Sequence, residues 1–98
     1  MDNITVSELQ KLISKVNLID IRDNYQFNLG TIPTARNIPY AFIIINPENY
    51  LDKNQRYYIF CEQGEASRRA CLVLAKKGYD VVNVLGGYSE FRRLNNIN

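Results

Sequence analysis

An α/β domain, with a mostly parallel sheet and helices on both of its faces, is predicted from two observations. Short apolar strand-like runs alternate with helix-like stretches along the chain. At the centre of this alternation, Tyr57-Tyr58-Ile59-Phe60, a loop opened by Cys61 and a helical run from Ser67 to Lys77 follow one another as strand, turn and helix. In open parallel sheets the functional crevice lies beyond the carboxyl ends of the strands, and Cys61 falls at such an end.

The elements read in order as follows. Ile4 contributes a short edge strand. Thr5-Val6-Ser7-Glu8 is a capping box, with Thr5 as N-cap and Glu8 three residues on. Val6, Leu9, Leu12, Ile13 and Val16 then form a helical apolar stripe that ends at Asn17. Leu18-Ile19-Asp20-Ile21 reads as a buried strand with an acid inside it. Asp23 caps a short helix through Tyr25, Phe27 and Leu29, stopped by Gly30. Ile32 is extended because it precedes Pro33. Ala35 to Ile38 is a second short strand, closed by Pro39.

Tyr40 to Ile45 is ambiguous. Its three isoleucines favour a strand by propensity, whereas its place between strands suits a crossover helix. Asn46-Pro47 breaks it, and Asp52-Lys53-Asn54-Gln55 is a polar turn. After the Tyr57–Phe60 strand and the Ser67–Lys77 helix, Gly78 is the helix stop. Val81 to Leu85 is a further buried strand, and Gly86-Gly87 turns the chain into a last helix from Tyr88 to about Leu94.

Ninety-eight residues with 46% hydrophobic content are enough for one domain, taken as 1–98, with its own core. The net charge is +2, and the twelve Lys and Arg are scattered as singlets and doublets, so nucleic acid is not an expected partner. The longest apolar run, Ala41 to Ile45, is too short to span a membrane. No leader segment is read at Met1, so a cytoplasmic protein is expected. Histidine is absent, which removes any Cys–His pair or His metal site within the chain; neither a metal nor a cofactor is expected. Cys61 and Cys71 have no metal-ligand spacing, and one opens a loop while the other lies within a helix, so they are read as free thiols.

The Cys61 sulfur should sit over amides leading into a helix N-terminus, a place that favours negative charge and therefore a nucleophilic thiolate. Gly64 lets the loop curl, and the amides from Glu62 to Ser67 form the expected anion nest. The Ser67 hydroxyl is expected to cap the helix or donate to the sulfur. Other features have plainer readings. Cys71 shares a helix face with Ser67, Leu74 and Ala75 and is read as core, with a resolving thiol as the lesser alternative. Asp20 and Arg22 are read as a buried hydrogen-bond network at a strand end, and Gly86-Gly87 as a tight strand-to-helix connection.

Three stretches together resemble the rhodanese domain family. They are Leu18-Ile19-Asp20-Ile21-Arg22 with Gln26 to Pro33 and Ala35 to Pro39; the loop Cys61-Glu62-Gln63-Gly64-Glu65-Ala66-Ser67; and Val82 to Phe91 around Gly86-Gly87. The resemblance covers Ile4 to about Leu94 and implies a three-layer α/β/α fold with a five-stranded parallel sheet. It implies a sulfurtransferase in which Cys61 is the catalytic residue and carries a persulfide. Glu62, Gln63, Gly64, Glu65, Ala66, Ser67 and Arg68 would bind the substrate. The donor would be thiosulfate, another small sulfur-containing anion or a persulfide; the acceptor would be a thiol, cyanide or a protein, a thioredoxin-like one among them.

The sequence departs from the family pattern at Ala66, where the loop usually has Arg, and the loop carries Glu62 and Glu65. An acidic rim of this kind weakens attraction for the thiosulfate dianion, with Arg68 and Arg69 as partial compensation, and favours a protein or low-molecular-weight persulfide as partner. Two other functions compete. A phosphatase or arsenate reductase of the related fold needs a longer Cys-x5-Arg loop, and here the sixth residue after Cys61 is Ser67. A non-catalytic binding or sensing module would not need Cys61.

Overall fold

The computed structural model describes residues 1–97. Five strands form one parallel sheet: β1 (Asp2–Thr5), β2 (Asn17–Asp20), β3 (Arg36–Asn37), β4 (Arg56–Phe60) and β5 (Asp80–Leu85), in the order β1-β5-β4-β2-β3. Five α-helices connect them: α1 (Val6–Leu9), α2 (Asn24–Leu29), α3 (Tyr40–Ile45), α4 (Glu65–Lys76) and α5 (Gly87–Leu94). The three-layer α/β/α architecture expected from the sequence is present.

Side chains of successive strand residues point to opposite faces, and this alternation divides the core in two. Ile19, Tyr57, Ile59 and Val81 face α3 and α4, where they pack with Ile43, Ala70, Cys71 and Leu74. Leu18, Phe60 and Val84 face α1 and α5, where they meet Val6, Leu9, Tyr88 and Phe91. The register places Ile59 beside both Ile19 and Asn83. The central strand β4 is therefore flanked by β2 and β5, the point where the strand order reverses. Cys61 follows β4 directly, at the crevice such a switch point creates.

One expectation changes and one open alternative is resolved. The capping box forms, with Glu8 N 3.1 Å from Thr5 Oγ1 and Thr5 N 3.0 Å from Glu8 Oε1. The α-helix that follows nevertheless ends at Leu9 and does not continue through Val16. Lys11, Leu12 and Lys15 donate to carbonyls three residues back, and Ile13–Lys15 is a 3₁₀ turn. This segment must carry the chain from the edge strand β1 past β5 and β4 to β2. The 3₁₀ rise of ~2.0 Å per residue against ~1.5 Å covers that distance in fewer residues.

The ambiguous Tyr40–Ile45 run is a helix, entered from Pro39. Ile43 is buried against α4 and Ile44 packs partly against the same core while Phe42 and Ile45 are exposed, the one-sided burial a helical turn gives. Asp23 caps α2 by accepting from Gln26 N at 2.8 Å, and Gly30 ends that helix.

Ile59 is fully buried on the central strand. Replacing it with Ala should cost about 3 kcal/mol in urea unfolding, as a lower midpoint with an unchanged slope.

Candidate active site

Two helix N-termini meet at the Cys61 loop, and each binds a different side of its backbone. The carbonyls of Cys61 and Glu62 accept hydrogen bonds from Tyr88 N and Ser89 N of α5, both at 2.9 Å. With these carbonyls turned into α5, the chain curls at Gly64, whose φ of +105° is a left-handed conformation that favours glycine. The amides of Gly64 and Ser67 then point at the Cys61 Sγ, at 3.1 and 3.3 Å. This is the expected nest, built by two of the loop's amides. The Gly86-Gly87 connection serves this packing. A Cβ at Gly87, where φ is +59°, would overlap the Cys61 carbonyl oxygen and lie 2.7 Å from that of Glu62.

Ser67 takes a different role from the one expected. The helix begins two residues before it, with Gly64 at the N-cap position, so Ser67 lies inside the first turn and does not cap it. Its hydroxyl donates to Asn83 Oδ1 at 2.6 Å, and the Cys61 thiol lies 3.4 Å from Ser67 Oγ as a donor to it. Both Ser67 and Asn83 are buried. Asn83 is not among the site residues the sequence predicts, although an amide inside Val81-Val82-Asn83-Val84-Leu85 is a signal: a buried polar side chain needs a partner.

Cys61 is 6% exposed, reached through a cavity of about 440 Å³. Glu62, Gln63, Glu65 and Ala66 line it, as do Ile21, Arg22, Gln26 and Arg69. Gly64 and Ser67 address the sulfur through their amides. Arg68 is exposed and does not line the cavity; Arg69, the next position around the helix, does. A second cavity of about 300 Å³ adjoins the first, sharing Arg22, Gln26 and Glu62 and adding Tyr88 and Arg92.

The acidic rim is only half present. Glu62 is held between two guanidiniums, with Oε1 3.2 Å from Arg22 Nη1 and Oε2 2.6 Å from Arg92 Nη2. Among the described residues Glu65 makes no salt bridge, and it remains as the acid at the mouth. Arg22 also forks onto the buried Asp20 carboxylate, with Nη2 2.9 Å from Oδ2, and donates to the Gly30 carbonyl at 2.6 Å. Burial opposes the charge on Arg22, but the hydrogen bonds and attraction of Asp20 and then Glu62 outweigh it and raise its pKa. The Tyr88 ring packs against both arginines, its centroid 4.3 Å from Arg22 Cζ and 5.1 Å from Arg92 Cζ. Asp20 and Arg22 thus form the expected network, and Arg22 lines both cavities as well.

Cys71 is fully buried among Ile59, Ala70 and Leu74. Burial, and then the nearby Cys61 sulfur, push its thiol from 9.0 up to about 12. It is a neutral core side chain at ordinary pH, and both cysteines are free. Among the described residues no three His, Cys, Asp or Glu side chains come together as a metal would require, and no helix is long and apolar enough to cross a membrane.

Comparison with known proteins places this geometry. The family profile described as Rhodanese-like domain matches residues 5–94. A protein of Arabidopsis thaliana named HIGH ARSENIC CONTENT 1, mitochondrial, is 35% identical over 85 residues, which is 74% of this chain; the chain spans 50% of that protein's length. A protein of Allochromatium vinosum named Sulfurtransferase is 31% identical over 94 residues, covering 95% of this chain and 87% of its own. A solved structure from Staphylococcus saprophyticus superposes with a TM-score of 0.85 at 38% identity, covering 93% of each chain.

Three outcomes follow from the geometry. Gly87→Ala should lose about 2 kcal/mol or more in denaturant unfolding, and iodoacetamide should alkylate its Cys61 at a rate different from wild type, because the Cys61–Glu62 peptide must shift. In the native protein iodoacetamide should label Cys61 and spare Cys71 below about pH 9, with Cys71 labelled only after unfolding. A raised thiol favours the folded state while the unfolded thiol is also protonated. This stabilisation is whole below about pH 9 and is lost as pH climbs toward 12, which a pH series of unfolding midpoints will show.

Proposed function

The chain belongs to the family of rhodanese-like domains, and from that membership we propose that it is a sulfurtransferase that works through a persulfide on Cys61. The observation that carries this reading is the sulfur itself: Sγ is held by the Gly64 and Ser67 amides at 3.1 and 3.3 Å, at the base of a cavity, in a chain without histidine. Sulfur transfer needs a stabilised thiolate, and it needs no base to activate a hydroxyl or a water.

In the first half-reaction the Cys61 thiolate attacks the outer sulfur of a sulfane donor. A Cys61–sulfur bond forms, the donor's sulfur–sulfur bond breaks, and the leaving group departs with the electron pair, as sulfite from thiosulfate or as a thiolate from a persulfide. In the second, an acceptor thiolate attacks the terminal sulfur and Cys61 leaves as a thiolate. The two amides stabilise the anion at the start and end of this cycle. The name of the Allochromatium vinosum relative agrees with the proposal. The acceptor in this reading is a thiol, of a small molecule or of a thioredoxin-like protein, that reaches Cys61 through the cavity of about 440 Å³.

The arsenic in the name of the Arabidopsis thaliana relative raises oxyanion chemistry as a second reading. Against it, the sixth residue after Cys61 is Ser67 where a Cys-x5-Arg loop has Arg, and Arg22 beside the loop is already bound to Asp20 and Glu62.

Incubating the protein with thiosulfate or a glutathione persulfide should raise its intact mass by one sulfur atom. The gain should vanish on cyanide treatment and be absent in Cys61→Ala. No gain with either donor would overturn the proposal.

A further inference from the structure

Glu62 stands between the two cavities as their shared wall, and its carboxylate bridges Arg22 and Arg92 there. Its main chain is fixed, because its carbonyl is bound by Ser89 N at 2.9 Å. Its side chain is 32% exposed and the Arg92 side chain 36%, so solvent and ligands reach this ion pair. The Arg22 side chain, at 4%, is anchored from behind by Asp20 and the Gly30 carbonyl and cannot follow Glu62 if it moves. The Tyr88 ring supports both guanidiniums. The two arginines therefore make an anion clamp at the wall the two cavities share, Arg22 lining the Cys61 cavity and Arg92 the adjoining one, and an internal carboxylate already fills it.

We infer that Glu62 is the residue that sets the selectivity of this site against small anions, by occupying the Arg22–Arg92 clamp that would otherwise bind them. A small dianion such as sulfate or thiosulfate must displace a tethered carboxylate to reach the guanidiniums. A donor whose binding does not use the clamp is unaffected. Charge-assisted hydrogen bonds to paired guanidiniums are among the stronger polar contacts, so releasing the clamp creates a site, beyond a change in general field. The selectivity for thiosulfate rests on the sulfurtransferase reading above; the anion clamp does not.

Glu62→Gln tests this, because it keeps the size of the side chain, removes its charge and replaces one of the two acceptor oxygens with an NH2 that cannot accept from a guanidinium. The reaction of Cys61 with iodoacetamide reports on the clamp whether or not sulfur is transferred. In Glu62→Gln, millimolar sulfate should slow this alkylation in a saturable way, whereas in the wild type it should not. The rate with anionic iodoacetate relative to neutral iodoacetamide should also rise about threefold to tenfold. Glu65→Gln removes a carboxylate lining the same cavity that is in no clamp; it should raise the iodoacetate ratio without creating saturable sulfate protection. Adding Arg92→Gln to Glu62→Gln should abolish the protection.

Absence of saturable protection in Glu62→Gln, or equal protection in Glu65→Gln, would overturn the clamp. Where sulfur transfer is measurable, the KM for thiosulfate should fall several-fold in Glu62→Gln with kcat little changed. An unchanged KM alongside sulfate protection would leave an anion site and overturn its role in selectivity.

Discussion

The site depends on how one short stretch of backbone is seated. The carbonyls of Cys61 and Glu62 are taken up by the first amides of α5, so the loop has no freedom to present them to the sulfur. What remains to face Sγ are N–H groups, those of Gly64 and of Ser67 in the first turn of α4. One helix N-terminus holds the loop and the other holds the sulfur. Both use donors that no residue within their own helices can satisfy. The close approach is possible because Gly87 has no side chain where the Cys61 carbonyl sits. A glycine on β5's exit thus sets the geometry of a cysteine on β4's exit, and the parallel pairing of the two strands keeps these exits adjacent.

A second chain of contacts runs across the mouth through charged groups. Asp20 is fully buried and accepts from Thr31 Oγ1 at 2.8 Å as well as from Arg22. Arg22 continues to Glu62, and Glu62 to Arg92. This ties β2, the segment after α2, the Cys61 loop and α5 together at one edge of the sheet. Buried ion pairs add little net stability compared with apolar packing, but breaking one is costly because it strands a charge. Their effect here is positional. They hold two guanidiniums on either side of Glu62, at the wall between the Cys61 cavity and the adjoining one, and among the described residues no buried side-chain nitrogen or oxygen lacks a partner.

Much of this was legible in sequence where the signal is local. The capping box at Thr5, the Asp23 cap, the alternation of strands and helices and the Cys61 loop all rest on neighbours within a few residues. Local signals failed where a distant contact decided. The apolar stripe from Val6 to Val16 has helical spacing, yet the helix stops at Leu9 because the chain must cross beneath two strands. Tyr40–Ile45 reads locally as either strand or helix, and α4 decides for the helix by offering a surface for Ile43. Ser67 resembles a cap in sequence, but it bonds to Asn83, sixteen positions away.

The sequence by itself determined the α/β class, the place of Cys61 at a strand's carboxyl end and the loop whose amides meet its sulfur. These follow from periodicity, glycine conformation and the short reach of a turn. The tertiary structure alone decided the electrostatics of the mouth. In the linear chain Glu62 and Glu65 look equivalent, but Arg22 lies forty residues from Glu62 and Arg92 thirty. Coulombic and hydrogen-bonding partners are chosen by distance in space, so only the folded chain shows that Glu62 is bound by two guanidiniums while Glu65, among the described residues, makes no salt bridge.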